Sequence, residues 1–275
     1  MAITRITSRT NPLIVRIASL HEKKYRDRER MFLLEGSKLL VETLQSGITP
    51  AYIFTTERML PFCLEALGIQ KEEEAPAHLI CLSDGAFEKI STEKAPQGVI
   101  CVVDYLDKRH FFGTINKGNL SSLASGRLFA LCSIRDPGNL GTIIRTAHAF
   151  GIDALLLSAD CADLYNPRTV RSAMGTLLRQ QIYVVSDLPD PLRLLAEEQG
   201  REVLGAMLDE SARSLDECRV DKNTVFVVGN EGHGIDAATA AACTGSVIIP
   251  MAPESAESLN AAIAAAILLW RSFHT

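Results

Sequence analysis

Apolar and polar positions along the chain fall into two long stretches of alternating strand-sized and helix-sized runs, with one irregular interval between them. The first stretch reads as strand Met31 to Leu34, helix Lys38 to Gln45 closed by Gly47, strand Ala51 to Thr55, helix Leu60 to Leu67, strand His78 to Leu82, helix Asp84 to Ile90 and strand Gly98 to Val103. Short apolar runs rich in β-branched residues predict buried strands, and apolar positions three and four apart predict amphipathic helices. Ahead of these runs, Leu13, Ile14, Ile17, Ala18 and Leu20 lie at helical spacing between Pro12 and about Lys24, and a charged turn from Tyr25 to Arg30 follows. No period is sustained from Asp107 to Arg127, where glycines and serines recur, which predicts a linker. The alternation then resumes with strand Leu128 to Ile134, helix Thr142 to Phe150 closed by Gly151, strand Ala154 to Leu157 and a helix start at Asn166. It continues with strand Gln181 to Val185, helix Pro191 to Glu198, strand Glu202 to Ala206, strand Val225 to Val228, strand Val247 to Ile249 and an alanine-rich helix after Ser258. Regular β-α alternation predicts α/β architecture. The expected domains are residues 1–104 and 127–275, with 105–126 as linker.

Composition changes this picture little. Of 275 residues, 47% are hydrophobic and 22% charged, which excludes a disordered chain. The longest apolar run, Ala261 to Trp270, is roughly half of what a membrane span requires, so no membrane partner is expected. Arginines interrupt the N-terminal apolar residues, which does not match a secretory signal, and a cytoplasmic protein is expected. The seven cysteines are scattered without a C-x-x-C pair, so buried free thiols are expected and no metal site. Charge is more informative locally. The chain carries a net charge of -5, yet its first thirty residues hold eight basic residues against three acidic ones. Arg9, Arg16, Lys23 and Lys24 thus offer an edge for an anionic partner, with a solvated amphipathic helix as the alternative.

Chemistry concentrates at three points. The turn Arg135-Asp136-Pro137-Gly138-Asn139-Leu140-Gly141 separates a strand from the helix that carries Arg145. Such a turn can present backbone donors to an anion, or can simply cap the helix. The run Val225 to Val228 opens into Gly229-Asn230-Glu231-Gly232-His233-Gly234, a loop with enough glycine for backbone to come close to a ligand. Third, the strand ending at Ile249 is halted by Pro250, and Ser258-Leu259-Asn260 starts the helix, with Ser258 as its expected cap. Strand ends and a helix start that lie together build sites beyond the carboxyl ends of open α/β sheets. Arg168 and Arg171, on one side of the helix after Asn166, suit phosphate contacts or surface salt bridges about equally.

The segments Asn139-Leu140-Gly141-Thr142-Ile143-Ile144-Arg145, Gly229 to Gly234, and Ile249-Pro250-Met251 through Glu257-Ser258-Leu259-Asn260-Ala261-Ala262 resemble, in order, the three motifs of the SpoU/TrmH family. These are RNA ribose 2'-O-methyltransferases of the SPOUT superfamily. The resemblance covers Leu128 to Phe273, and Ile3 to Val103 is similar to the ribosomal-protein-like substrate-binding domain of many members, through Leu33-Leu34-Glu35-Gly36 and Gln97-Gly98-Val99.

The resemblance implies a SPOUT-type parallel sheet with a C-terminal trefoil knot, preceded by a smaller α/β domain, and a homodimer through the knotted region. It implies S-adenosyl-L-methionine as cofactor, with Gly229, Ile249 and Leu259 at binding positions and Met251 and Ala206 lining the same pocket. The position of Ala206 often carries a hydroxyl residue in relatives, so one side-chain bond to the cofactor is expected to be missing. By the same resemblance Arg145 is the catalytic arginine, with Asn139, Glu231, Ser258 and Asn260 as the polar positions around it. RNA is the implied partner, ribosomal RNA ahead of transfer RNA. Two other classes compete. A dinucleotide oxidoreductase is disfavoured because Gly229, Gly232 and Gly234 do not form G-x-G-x-x-G. A non-catalytic RNA-binding assembly factor is disfavoured by the joint presence of Asn139, Arg145, Glu231, Ser258 and Asn260.

Overall fold

The protein is described by a computed structural model, and the described residues are 3–123, 126–230, 232–252 and 258–274. The chain divides into two compact units: Met1–Leu106 with Tyr165–Leu178, and Asp107–Leu164 with Arg179–Thr275.

In the first unit, β1 (Thr4–Ile6), β2 (Met31–Glu35), β3 (Tyr52–Thr56), β4 (Leu79–Leu82) and β5 (Val99–Asp104) form a mixed sheet in the order β1-β4-β3-β5-β2. Helix α1 (Pro12–Ser19) starts where Asn11 accepts from the Leu13 amide and Pro12 fixes the first turn. Its Ile14 and Ile17 are buried with Phe54 and Phe87. The expected charged turn is instead α2 (Lys23–Glu29). The reason is Arg26, only 2% exposed, whose guanidinium donates to the carbonyls of Leu20 and His21 at the end of α1. A hydrophobicity count registers that arginine as surface, although here it satisfies helix-end carbonyls. Helices α3 (Ser37–Gln45), α4 (Leu60–Ala66) and α5 (Asp84–Ile90) fall where periodicity placed them.

The domain limits differ from expectation at two places. A segment from the second half of the chain completes the first unit: Tyr165 is fully buried, its ring stacked on Tyr105 at 4.0 Å and tilted against Phe32 at 4.5 Å. Its hydroxyl accepts from the Leu106 amide at 3.0 Å. The following helix α7 (Pro167–Ala173) packs on β2, and Arg171 pairs with Glu93. The expected linker, in turn, contains a strand of the second unit, β6 (His110–Gly113), and Ile115, Leu120 and Leu123 join that unit's core.

The second unit is built on an eight-stranded sheet that is parallel throughout. It adds β7 (Leu128–Leu131), β8 (Ala154–Ser158), β9 (Gln181–Val185), β10 (Val203–Ala206), β11 (Arg213–Ser214), β12 (Val225–Val228) and β13 (Gly245–Ile248), in the order β11-β13-β10-β12-β7-β8-β9-β6. The central strands β7 and β12 are buried along their length, as parallel strands covered on both faces must be. Leu128, Ala130 and Cys132 point one way into a cluster with Leu192 and Leu195 of α8 (Pro189–Gln199). Their neighbours Phe129 and Leu131 then point the other way by the two-residue period. Helix α6 (Pro137–Ala149) packs against α10 (Ala261–Phe273), and α8 against α9 (Ala237–Ala241). Among the described residues no helix is long and apolar enough to cross a membrane.

One titration tests the packing of the first unit. Burial acts to raise the Asp27 carboxyl, but hydrogen bonds from Lys23 and from Tyr105, the latter at 2.8 Å, outweigh it and hold the group below the usual carboxylate range. A depressed folded value means that Asp27 contributes stability above the unfolded pKa of about 3.9, and that the contribution is lost as pH falls through the folded value. Asp27→Asn is therefore expected to lower the melting temperature at pH 7 and to flatten its decline between pH 5 and 3. A decline as steep as that of the unaltered chain would remove Asp27 from this role.

Candidate functional site

Because every strand of the second sheet runs the same way, the carboxyl ends of β10, β12 and β13 lie side by side along one edge. A cavity of about 460 Å³ opens there. Its walls come from Ala206 to Asp209 after β10, Val228 to Asn230 and His233 to Ile235 after β12, Val247 to Ile249 and Met251 around the end of β13, and Ser258, Leu259, Ala261 and Ala264 at the start of α10. All five expected cofactor positions, Ala206, Gly229, Ile249, Met251 and Leu259, line this cavity, and so does Ser258. Its size is within the range of small-molecule sites and its lining is mostly apolar.

The loop after β12 is held shut by its own backbone. Asn230 and Gly234 exchange both amide-carbonyl hydrogen bonds, at 3.0 and 2.8 Å, and Gly234 adopts φ +67°. The reversal brings Gly229 so close to Gly234 that a Cβ on Gly229 would lie 2.2 Å from the Gly234 carbonyl carbon. Glycine at 229 is thus a steric requirement. The Asn230 side chain serves two further contacts: its Oδ1 accepts from the Gly232 amide at 2.8 Å and its Nδ2 donates to the Ser133 carbonyl at 3.1 Å, tying this loop to the end of β7.

A polar group joins the other two motif segments. The expected turn before Arg145 is helical from Pro137, with Asp136 as cap accepting from the Asn139 amide at 2.8 Å. The capping alternative to an anion site therefore describes that amide. The cap of α10 is Asn260 and not Ser258: Asn260 Oδ1 accepts from the amides of Ala262 and Ile263, at 3.0 and 3.3 Å. The same side chain donates through Nδ2 to Asn139 Oδ1 at 3.2 Å. One asparagine thus starts α10 and links it to α6.

Arg145 is placed differently. It is exposed on α6, does not line the cavity and makes no hydrogen bond or ion pair among the described residues. Six residues beyond Asn139, it sits about 9 Å further along the helix and about 120° around it. Glu231 lies outside the described residues.

Five of the cationic candidates of the first unit meet a carboxylate. Arg9 lies 4.0 Å from Glu88, Arg16 2.8 Å from Glu29, Lys23 2.5 Å from Asp27 and Lys24 3.1 Å from Glu22. Arg171 pairs with Glu93, and Arg168 is exposed one turn before it. Such surface pairs contribute little to stability.

Sequence reasoning passed over Asp209 and gave Asn230 and His233 no role of their own within the glycine-rich loop, although all three are in the cavity wall. Asp209 is the only carboxylate among the described lining residues, and hydrogen bonds from Ser211 and Ser246 hold it below the usual carboxylate range. Its position just after a strand end, next to Ala206, was the available signal.

Comparison with known proteins accords with this geometry. Residues 126–270 match the SpoU rRNA Methylase family and residues 11–101 the MRM3-like substrate binding domain. The chain is 34% identical to the 23S rRNA (guanosine(2553)-2'-O)-methyltransferase RlmP of Bacillus subtilis, over 97% of this chain and 98% of that protein. Among solved structures it is similar to a TrmH-family protein of Porphyromonas gingivalis, with TM-score 0.78 and 33% identity over 95% of this chain and 97% of that one. It is also similar to an AdoMet-bound rRNA methyltransferase of Sinorhizobium meliloti, with TM-score 0.79 and 26% identity over 98% and 97%.

Substituting Gly229→Ala tests the closed loop. The added methyl cannot be accommodated without opening the Asn230–Gly234 bridge, so affinity for S-adenosylmethionine measured by calorimetry is expected to fall at least about tenfold while the buried strands keep the fold. Unchanged affinity would show that the loop does not shape the cavity.

Proposed function

Because the chain belongs to the SpoU rRNA Methylase family, we propose that it transfers a methyl group from S-adenosylmethionine to a ribose 2'-hydroxyl of RNA, with large-subunit ribosomal RNA as substrate. The observation that carries this reading is that two of the three motif segments, distant in sequence, line one apolar cavity, and that Asn260, between the lining residues Leu259 and Ala261, bonds Asn139 of the third. The named relatives act on 23S rRNA or carry AdoMet, over nearly the whole length of this chain. The MRM3-like match adds a substrate-binding unit at the N-terminal side. A cytoplasmic setting belongs to the same reading. So does a C-terminal trefoil knot, although residues 253–257, within the segment concerned, lie outside the described residues.

The cavity residues fit the cofactor. Ile249 and Leu259 offer apolar walls to an adenine, the closed loop sets Gly229 and Asn230 in the cavity wall, and Asp209 matches a ligand with positive centres. Ala206 carries no hydroxyl, so backbone groups and shape do more of the holding here. When bound, S-adenosylmethionine supplies a methyl group on a sulfonium with a good neutral leaving group. The protein's main task is alignment, which can supply about 7 to 11 kcal/mol in favourable cases. Asn139 and Asn260, fixed to each other and to two helix starts, offer rigid polar contacts for the ribose. Guanidinium groups stay protonated in proteins, so Arg145 acts by holding the ribose-phosphate and stabilising charge that develops on the attacking oxygen.

That role for Arg145 fits a homodimer. Ile263, Trp270 and Phe273 are 53%, 51% and 49% exposed and share one face of α10 by their spacing of seven and three. Such a contiguous apolar face marks an interaction surface. Phe150, the C-cap of the adjoining α6, touches Phe273 at 5.8 Å between ring centroids, which extends the face toward the helix that carries Arg145. A second copy seated there brings Arg145 toward the other subunit's cavity.

Two experiments test this reading. With purified protein and 23S rRNA transcripts, Arg145→Ala is expected to reduce methyl transfer by at least about a hundredfold while cofactor affinity stays within about twofold, and a target carrying 2'-deoxyribose is expected to be inert. Transfer to the deoxy target would place the reaction on a base. In sedimentation experiments the unaltered chain is expected to be a dimer and Trp270→Glu a monomer with lowered activity; a monomeric unaltered chain would refute the shared site.

A further inference from the structure

Asp160 lies outside all three motif segments, yet it joins the ends of two strands. Its Oδ2 accepts from the Ser133 hydroxyl at 2.6 Å and from the Arg135 guanidinium at 3.3 Å, and its Oδ1 accepts from the Ser158 hydroxyl at 2.6 Å. Ser158 Oγ in turn accepts from the Ser133 amide at 2.8 Å. Ser133 is thereby held through both backbone and side chain. It needs to be, because its φ is +58°. Outside glycine, that left-handed conformation is unfavourable and persists where surroundings enforce it.

The purpose of the enforced turn is visible in what Ser133 does next. Its carbonyl accepts from Asn230 Nδ2 at 3.1 Å, and Asn230 both lines the cavity and forms the bridge with Gly234 that shuts the loop. The Ser133 turn also leads directly into Arg135 and the Asp136 cap of α6. Burial acts to raise the Asp160 carboxyl, but hydrogen bonds from Ser133, Ser158 and Arg135 prevail and hold it below the usual carboxylate range.

The geometry points to Asp160 as a positioning residue of the cofactor site: it keeps Ser133 in the left-handed turn whose carbonyl anchors Asn230, and so keeps the loop from Gly229 to Gly234 in its binding form. The inference rests on the proposed cofactor reading of the cavity. Asp160 touches neither cofactor nor RNA in this role. An ordinary surface ion pair with Arg135 would have no such reach, because Arg135 is largely exposed.

The test uses the full-length protein and calorimetric titration with S-adenosylmethionine, with the melting temperature followed in parallel. Asp160→Ala is expected to weaken binding about tenfold, the scale set by the cost of a left-handed turn in a residue with a Cβ. Glycine adopts that turn freely, so adding Ser133→Gly in the same chain is expected to bring affinity back to within about twofold of the unaltered protein. A residue that only stabilised the surface would show no such rescue. If Asp160→Ala does not fold, Asp160→Asn, which keeps the volume and one acceptor oxygen, is expected to weaken binding in the same direction and to be rescued by the same glycine. Affinity unchanged by loss of the carboxylate, or a double variant as weak as the single one, would overturn the proposal. Failure of the unaltered chain to bind S-adenosylmethionine would overturn the reading of the cavity itself, and is separable because it needs no variant.

Discussion

The site depends on one close approach of backbone to backbone. Gly229 ends β12, and the chain turns back within five residues so that Asn230 and Gly234 bridge and Gly229 presses against the Gly234 carbonyl. No side chain fits in that contact. Once the loop is shut, a cavity is left between it, the strand ends of β10 and β13 and the start of α10. The cavity walls are then mostly backbone and apolar side chains, which suits a ligand held by shape with a few polar contacts at its rim.

Two asparagines convert that shape into a defined constellation. Asn230 ties the loop to the end of β7, and Asn260 both caps α10 and reaches Asn139 on α6. Each bond alone is worth only about 0.5–1.5 kcal/mol net. Their value lies in linking segments that the buried sheet has already brought close: strands β7, β10, β12 and β13 are adjacent and parallel, and most of their side chains are buried in the core of the unit. Stability and geometry thus come from different parts of the unit, the first from the core and the second from a thin polar layer at the strand ends. Ser133, in a conformation that non-glycine residues rarely adopt, belongs to that layer.

The parts of this arrangement that could be read from the sequence are those with a local physical signature. Buried parallel strands announce themselves as apolar runs, and the Gly229 to Gly234 loop announces itself by glycine content. The failures are equally physical. Strand β6 reads as linker in the sequence because a four-residue edge strand flanked by charge and glycine has too short a period to register. Helix α2 reads as a turn because its buried arginine satisfies carbonyls where a hydrophobicity pattern expects surface. The placing of Tyr165 on Tyr105 and Phe32 is a contact between residues far apart in the chain, and no local pattern encodes it. Ser258 reads as the cap because a serine is a good helix cap, whereas the side chain that accepts from the first amides of α10 is that of Asn260, two positions on. The basic excess of the first thirty residues was legible, whereas its pairing with carboxylates on neighbouring elements was not.

The most direct measurement of the central claim is a crystal structure of the protein grown with saturating S-adenosylmethionine. Cofactor density is expected within the cavity, its adenine between Ile249 and Leu259 and its methyl directed toward the Asn139–Asn260 pair, with the Asn230–Gly234 bridge intact. Cofactor density elsewhere, or an adenine bound only after that loop has opened, would contradict the claim.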